Sequence, residues 1–286
     1  MRILITGVTG FMGSHLPQLL VRNHVLCCTK RPLSIFQDAK QIIWIQQDLS
    51  EPLDHSRLPK RLDAIIHLAQ SNNFRNFPEK AQDIYNININ STFQLLEYGR
   101  KIGIKSFILA SSGGVCGYKN RSVLENDPPN PLNFYLNSKY VSESIADSYT
   151  DFFTTVILRF FFVYGKGQRD RLIPDIIERI RKGQEITIYD KEGSKINPIY
   201  ISDAVKAIER ALNLDASEVI NIAGNEIISI KMLSEQLGEM IGKKPNYKFV
   251  PAHGDIDLIG NTEKMRIKLD IEPQVKLKEG LDRVLN

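Results

Sequence analysis

Tyr135 and Lys139 stand four residues apart in the run Tyr135-Leu136-Asn137-Ser138-Lys139. On a helix that spacing puts both side chains on one face. An ammonium beside a phenol stabilises tyrosinate and draws the phenol towards ionisation near working pH, so the pair can exchange a proton. Upstream, the apolar run 106–110 ends in Ser111-Ser112-Gly113-Gly114. A serine hydroxyl at that strand end could hold a substrate oxygen while the phenol works on its proton. A lone YxxxK is usually just a helix face. A second motif near the N-terminus gives it meaning here.

That motif is Gly7-Val8-Thr9-Gly10-Phe11-Met12-Gly13, placed between the β-branched run 3–5 and helical spacing of apolar residues over 11–21. Glycine permits a tight turn, a close approach to a pyrophosphate and close helix–strand packing, with the helix N-terminus facing the phosphate. The spacing is GxxGxxG rather than GxGxxG. Its place between first strand and first helix marks a dinucleotide site, with Gly7, Thr9, Gly10, Phe11, Met12 and Gly13 as the contact segment. An NAD site carries an acidic residue about 20 positions on for the ribose 2′-hydroxyl. Here the second strand ends in Thr29-Lys30-Arg31. Two cations without a carboxylate suit a 2′-phosphate, so NADP is favoured, with NAD as the alternative. Beside a nicotinamide, proton exchange at Tyr135 would accompany hydride transfer.

The elements that must position these residues alternate along the first half. Runs 3–5, 25–29, 42–45, 64–68, 106–110 and 155–161 read as buried strands, and 11–21, 84–101 and 135–149 as helices. The alternation predicts an α/β, Rossmann-type, doubly wound parallel sheet. After about residue 165 the texture changes, with helical stretches 172–182, 202–212 and 230–241, short strands 185–188 and 199–201, and an apolar connector 225–230. The expectation is a dinucleotide-binding domain over 1–164, whose sheet can recruit later segments, and a smaller C-terminal α/β substrate cap over 165–286.

With these motifs in place the chain resembles the extended short-chain dehydrogenase/reductase family, the NAD-dependent epimerase/dehydratase group that mostly acts on nucleotide sugars. The likeness runs through Gly7/Gly10/Gly13, Asp48-Leu49-Ser50, His67-Leu68-Ala69, Asn88 with Ser91-Thr92, and Ser111-Ser112. It continues through Tyr135 with Lys139, Leu158-Arg159-Phe160 into Val163-Tyr164-Gly165, and Ile199-Tyr200-Ile201-Ser202-Asp203. The resemblance implies that Tyr135 is the general acid/base, that Lys139 tunes it and holds the nicotinamide ribose, and that Ser112 binds the substrate oxygen. It implies that Asp48 and Leu49 flank the adenine and that Leu68 and Ala69 line the cofactor backbone. Asn88, Ser111, Phe162 and Val163 join that cofactor set. A homodimer through the helices carrying Asn88 and Tyr135 is also implied.

The sequence departs from the family pattern at informative places. Gly113-Gly114 stand where 4,6-dehydratases carry an Asp-Glu pair, which argues against dehydration. Cys116 replaces an aromatic and reads as a small packing residue. Phe162 replaces the Asn that precedes Val-Tyr-Gly, and Ile196-Asn197 replace an Arg-Asp pair. A diphosphate needs cationic partners, which Lys166, Arg169, Arg171, Lys195 or His253 could supply. The substrate-facing set is therefore Ser112, Gly113, Phe162, Lys166, Arg169 and Lys195.

Composition narrows the class. The chain has 286 residues, 37 Lys+Arg against 33 Asp+Glu, a net charge of 37 − 33 = +4, and 42% hydrophobic residues. These values exclude a disordered chain or a disulfide miniprotein, and the interleaved charges do not suggest nucleic acid. The three cysteines, Cys27, Cys28 and Cys116, form no framework and fit a reducing compartment. No stretch approaches a membrane span. The expectation is a cytoplasmic enzyme with no metal, since His15, His24, His55 and His67 lack ligand spacing, and with Trp44 in the core. The reading is an NAD(P)-dependent epimerase or 4-ketoreductase of a nucleotide sugar. The alternatives are reduction of a small non-nucleotide carbonyl and a non-catalytic, cofactor-sensing relative.

Overall fold

A computed structural model describes residues 1–20, 24–29 and 42–286. Strands β1 (Arg2–Thr6), β2 (His24–Thr29), β3 (Ile42–Gln46), β4 (Ala64–His67) and β5 (Ser106–Ser112) join Thr154–Phe160 and Glu218–Ile222 in one sheet. Its order is Glu218–Ile222, Thr154–Phe160, β5, β4, β1, β2, β3. The pairs β1–β2, β2–β3, β1–β4 and β4–β5 are all parallel. Central strands show no alternation: Ile3, Leu4, Ile5, Ala64, Ile65 and Ile66 are all buried. That is the pattern of strands covered on both faces. The edge strand β3 does alternate, and Trp44 on it is only half-buried. The expectation of a core tryptophan is corrected there: an edge strand lacks a neighbour on one side.

The chain runs from β1 outward through β2 to β3 and then returns to β4 on the other side of β1. This reversal makes a topological switch point, and in open α/β sheets ligands bind outside the carboxyl ends of the strands there. The sequence motifs lie at those carboxyl ends: Gly7 after β1, Leu68 and Ala69 after β4, and Ser112 at the end of β5.

Helix boundaries depart from the periodicity at two places. The stretch 11–21 forms a 3-10 turn, Gly13–His15, and a four-residue helix, Leu16–Leu19, with a proline in its first turn. The stretch 84–101 is Ala81–Ile84, a π-helical turn Tyr85–Asn90 and the helix Ser91–Ile102. That last helix stops at Gly103, whose φ of 71° is the left-handed conformation that glycine adopts freely. The helix Phe134–Asp147 begins at Asn133, whose side chain accepts from Leu136 N–H at 2.9 Å. Such a cap contributes about 1 kcal/mol and anchors the turn that carries Tyr135.

By packing, the chain forms two compact units. One comprises Met1–Val115, Pro129–Arg159 and Val205–Ile220; the other Cys116–Pro128, Phe160–Ala204 and Asn221–Asn286. The two interleave along the sequence, because residues 205–220 return to the first. In the second unit the helix Leu172–Lys182 buries Ile173, Ile176, Ile177 and Ile180, the one-sided stripe of a surface helix. The connector 225–230 contains the strand Ile228–Ser229, antiparallel to Lys195–Ile196. Ser229 then caps the helix Ile230–Ile241 by accepting from Met232 N–H at 3.2 Å. Among the described residues no helix is long and apolar enough to cross a membrane.

Candidate active site

The glycine turn is built by close approach. Gly7 has φ +73°, and a Cβ there would lie 2.6 Å from Ala69 N and 2.8 Å from the Leu68 carbonyl carbon. Only glycine lets the ends of β1 and β4 come so near. A Cβ on Gly13 would lie 2.1 Å from Gly7 O. Gly10 N–H donates to Gly7 O at 2.9 Å, and Ser14 N–H to Gly10 O at 3.0 Å. Thr9 and Gly10 are exposed at the rim of the turn, with Phe11 and Met12 half-buried behind them. The helix that follows has four residues, so its dipole is short. The bare backbone of the turn is the stronger argument for a pyrophosphate. Across the switch point, Leu68 N–H donates to Thr6 O, and Ala69 N–H to Thr6 Oγ1, both at 3.3 Å.

The neighbouring strand ends carry mixed assignments. Asp48 Oδ1 accepts from Ser50 N–H at 3.0 Å and Ser50 Oγ at 2.8 Å, which closes a turn beyond β3. Leu49 packs into the hydrophobic core with Leu4, Ile65 and Leu95. Asn88 is buried, its Nδ2 donating to Ser138 Oγ and its Oδ1 accepting from Ser71 N–H, each at 2.8 Å. Ser111 is buried and its hydroxyl donates to the Glu143 carboxylate. Asn88 and Ser111 thus tie the scaffold together. Lys30 and Arg31 lie outside the described residues.

Tyr135 and Lys139 share the helix Phe134–Asp147. Lys139 is 4% exposed, and its Nζ donates to Ala110 O on β5 at 2.9 Å. Burial lowers its pKa from 10.5 to about 8, opposed by the charge of Glu143 one turn on. At neutral pH it is therefore a cation held inside the protein. Glu143 is itself paired with Arg159 at 2.7 Å, both side chains buried. Tyr135 is half-buried, and its hydroxyl donates to Gln70 Oε1 at 2.9 Å. Ser112 is half-buried, its Oγ accepting from Gly114 N–H at 3.3 Å. A Cβ on Gly114 would meet Leu136 at 2.9 Å, so the glycine lets the Ser112 turn sit close to the helix of Tyr135. Ser112, Tyr135 and Lys139 all belong to the first compact unit.

His67 lies under the site but is no proton carrier. Its ring contacts Thr6 Oγ1 at 2.7 Å and Thr92 Oγ1 at 3.1 Å. Burial, with Lys139 nearby, lowers its pKa to about 3. Among the described residues no His/Cys/Asp/Glu group could hold a metal.

The family model for the NAD dependent epimerase/dehydratase family matches residues 3–223. The chain belongs to that family. A Methanocaldococcus jannaschii protein provisionally assigned as a UDP-glucose 4-epimerase is 31% identical over 301 residues, covering 99% of this chain and 97% of the relative. The UDP-glucuronic acid 4-epimerase of Bacillus cereus, solved with UDP-glucuronic acid and NAD, superposes with a TM-score of 0.89. It has 29% identity and covers 99% of this chain and 97% of its own. The UDP-glucose 4-epimerase of Thermotoga maritima, solved with UDP-glucose, gives 0.84 at 26% identity, covering 100% and 97%.

This member of the epimerase/dehydratase family differs from the family pattern in ways the second unit makes concrete. Phe162 adopts φ 46°, a left-handed conformation in which Asn is far better tolerated than an aromatic. Asn197 is buried and engaged on both ends: its Nδ2 donates to Gly224 O and Gly260 O, and its Oδ1 accepts from Gly260 N–H at 2.9 Å. Cys116 is buried with Val123, Phe161, Ala223 and Leu258, and its thiol donates to Asp127 O at 3.7 Å. Val163 sits in a two-residue strand beside Ile199. Lys166, Arg169 and Lys195 are exposed, with Lys166 Nζ donating to Asn286 O at 3.1 Å.

Sequence reasoning missed Gln70 and Glu143, and it gave no role to Arg159 of the Leu158-Arg159-Phe160 run. Gln70 follows the His67-Leu68-Ala69 strand end, where a polar side chain points to a site. Arg159 was signalled by a guanidinium in an otherwise apolar strand, and Glu143 by its place one turn beyond Lys139.

Proposed function

We propose that the chain is an NAD-dependent 4-epimerase of a UDP-sugar. The observation that carries this reading is the Tyr135–Lys139 helix face beside Ser112, with glycines at 113 and 114 in place of carboxylates. Tyr135 takes the proton of the sugar 4-hydroxyl and gives it back. The buried Lys139 ammonium stabilises the tyrosinate. Ser112 donates to the same sugar oxygen and keeps it in line with the phenol. The nicotinamide, when bound, supplies reversible acceptance of the C4 hydrogen as hydride. No acid stands after Ser112 to expel water, so the sugar returns to the hydroxyl level.

The dinucleotide is assigned to the first unit, on the backbone of Gly7–Gly13 with Leu68 and Ala69, and nucleotide-sugar recognition to the second. The fit rests on an exposed Thr9–Gly10 rim at the switch point. The Lys30-Arg31 pair favours a 2′-phosphate, whereas the Bacillus cereus neighbour is solved with NAD. We take NAD as the cofactor and expect it to bind about tenfold more tightly than NADP, a difference of about 1.4 kcal/mol. The reverse order would restore the 2′-phosphate reading. Tyr85, Phe93, Tyr140 and Val141 are exposed on the helical segments carrying Asn88 and Tyr135, which supports a homodimer, checked by light scattering at twice the monomer mass.

A thermal-shift panel of UDP, dTDP, GDP, CDP and ADP with saturating NAD tests the substrate class. A ligand at 100 times its Kd adds about 2.7 kcal/mol. UDP is expected to stabilise most. Stabilisation by NAD alone, with no response to any nucleotide, would overturn the nucleotide-sugar assignment in favour of a small carbonyl.

A further inference from the structure

Gln70 is half-buried and accepts the Tyr135 hydroxyl at 2.9 Å, and the loop that carries it is held from two sides. Next to it, Ser71 N–H donates to Asn88 Oδ1 at 2.8 Å, and Asn88 Nδ2 to Ser138 Oγ at 2.8 Å. Ser138 Oγ in turn donates to the Tyr135 carbonyl at 2.7 Å. Away from the helix, Ser71 Oγ bonds the Asp83 carboxylate, and Asn73 Nδ2 donates to Asp83 Oδ2 at 3.0 Å. The loop and the first turn of the Tyr135 helix are therefore one hydrogen-bonded frame. Gln70 and Tyr135 face each other because that frame holds them. The ring of Phe74, 5.5 Å from that of Tyr135, flanks the phenol.

A primary amide can serve both protonation states of a phenol. Its carbonyl accepts from the O–H, and its NH₂ donates to the phenolate once the group turns over. A hydrogen bond to a charged oxygen is roughly twice as strong as a neutral one. We propose that Gln70 is a positioning residue for Tyr135, accepting from the phenol and donating to the phenolate. It favours ionisation and keeps the oxygen in place through both states. The inference rests on the proton-transfer role proposed for Tyr135. Other charged groups surround the pair: Lys139 on the same helix, Arg75 with its guanidinium 5.1 Å over Phe74, and Asp83 behind Ser71. His67, beneath, is neutral. The two cations favour the phenolate and Asp83 opposes it, so replacing Gln70 alone isolates its effect.

Tyrosinate absorbance is titrated for the full chain and for Gln70→Glu and Gln70→Met, each minus the same chain carrying Tyr135→Phe. The subtraction isolates one of 10 tyrosines. Glutamate accepts but cannot donate and adds a negative charge; methionine keeps the length and does neither. The midpoint of Tyr135 is expected to rise by about half a pH unit with methionine, and by about one unit or more, a tenfold change in the equilibrium, with glutamate. Circular dichroism checks folding, and the methionine variant carries the test if the glutamate variant does not fold. Either folded variant titrating with the parent chain overturns the proposal. The titration needs no substrate, so shifted midpoints in a chain that converts no nucleotide sugar would uphold Gln70 and refute the proposed function.

Discussion

Tyr135 can act only if its proton leaves and returns near neutral pH, and the groups that permit this are set around one helical turn. Removing the hydroxyl in Tyr135→Phe should lower kcat by about 10²–10⁴-fold, the usual worth of a positioned acid/base. Retention of more than about a tenth of the turnover, in a steady-state assay of C4 epimer formation, would remove the assignment. Lys139 gives a pH prediction whose sign is fixed. It is protonated below about 8 in the folded chain and below 10.5 in the ordinary state. Turnover should therefore fall as pH rises through about 8, as the cation beside the phenol is lost. Stability moves the other way. Between pH 8 and 10.5 the unfolded chain binds the extra proton, so this group's contribution to stability rises across that window, by on the order of 3 kcal/mol. Below 8 the full burial penalty is present. The rise should be missing in Lys139→Met, measured as the difference in denaturant midpoints between the two chains across that range.

At the scale of elements, the site depends on how the helix Phe134–Asp147 is fastened to the sheet. Glu143 and Arg159 join that helix to the strand Thr154–Phe160 as a buried ion pair at 2.7 Å. Glu143→Gln leaves a buried guanidinium uncompensated and should cost about 3–5 kcal/mol, whereas Glu143→Gln with Arg159→Met should recover most of it. An unfolding free energy from urea denaturation of the single variant within about 1 kcal/mol of the parent would contradict this picture. The elements show where sequence stops being legible. Tyr135 and Lys139 could be read because their relation is local, four residues on one helix. The ends of β1, β4 and β5 could be read because buried parallel strands are continuous apolar runs. Asn88 with Ser71 and Ser138, or Gln70 with Tyr135, pair across long stretches of chain, and no spacing rule reveals such partners. The spacing over 11–21 overstates the first helix because apolar periodicity continues through Gly13–His15, where the turn is 3-10. The strand Glu218–Ile222 has no clear signature in the sequence because an edge strand is recruited by the sheet, not by its own pattern.

The whole molecule combines a cofactor-type unit with a second unit that interleaves with it along the chain. Its chemistry and its substrate class are separable claims. The proposed chemistry is assigned to Ser112, Tyr135 and Lys139, which all reside in the first unit. Substrate recognition is proposed to use exposed cations of the second, chiefly Lys166, Arg169 and Lys195. Changing these three to alanine should raise KM for a UDP-sugar by about tenfold or more for each cation that contacts phosphate, since each such contact contributes about 1.5–3 kcal/mol, while kcat stays within about twofold. A fall in kcat with unchanged KM would instead show that these cations do not bind the diphosphate. Epimerisation at C4 is tested most directly by following UDP-glucose and UDP-glucuronic acid by proton NMR in D₂O with purified protein and NAD. A 4-epimerase gives a mixture of C4 epimers, no deuterium at C4 and no net reduction of NAD. Recovery of both sugars unchanged by a folded, NAD-binding protein, or a product that has lost water, would contradict that activity.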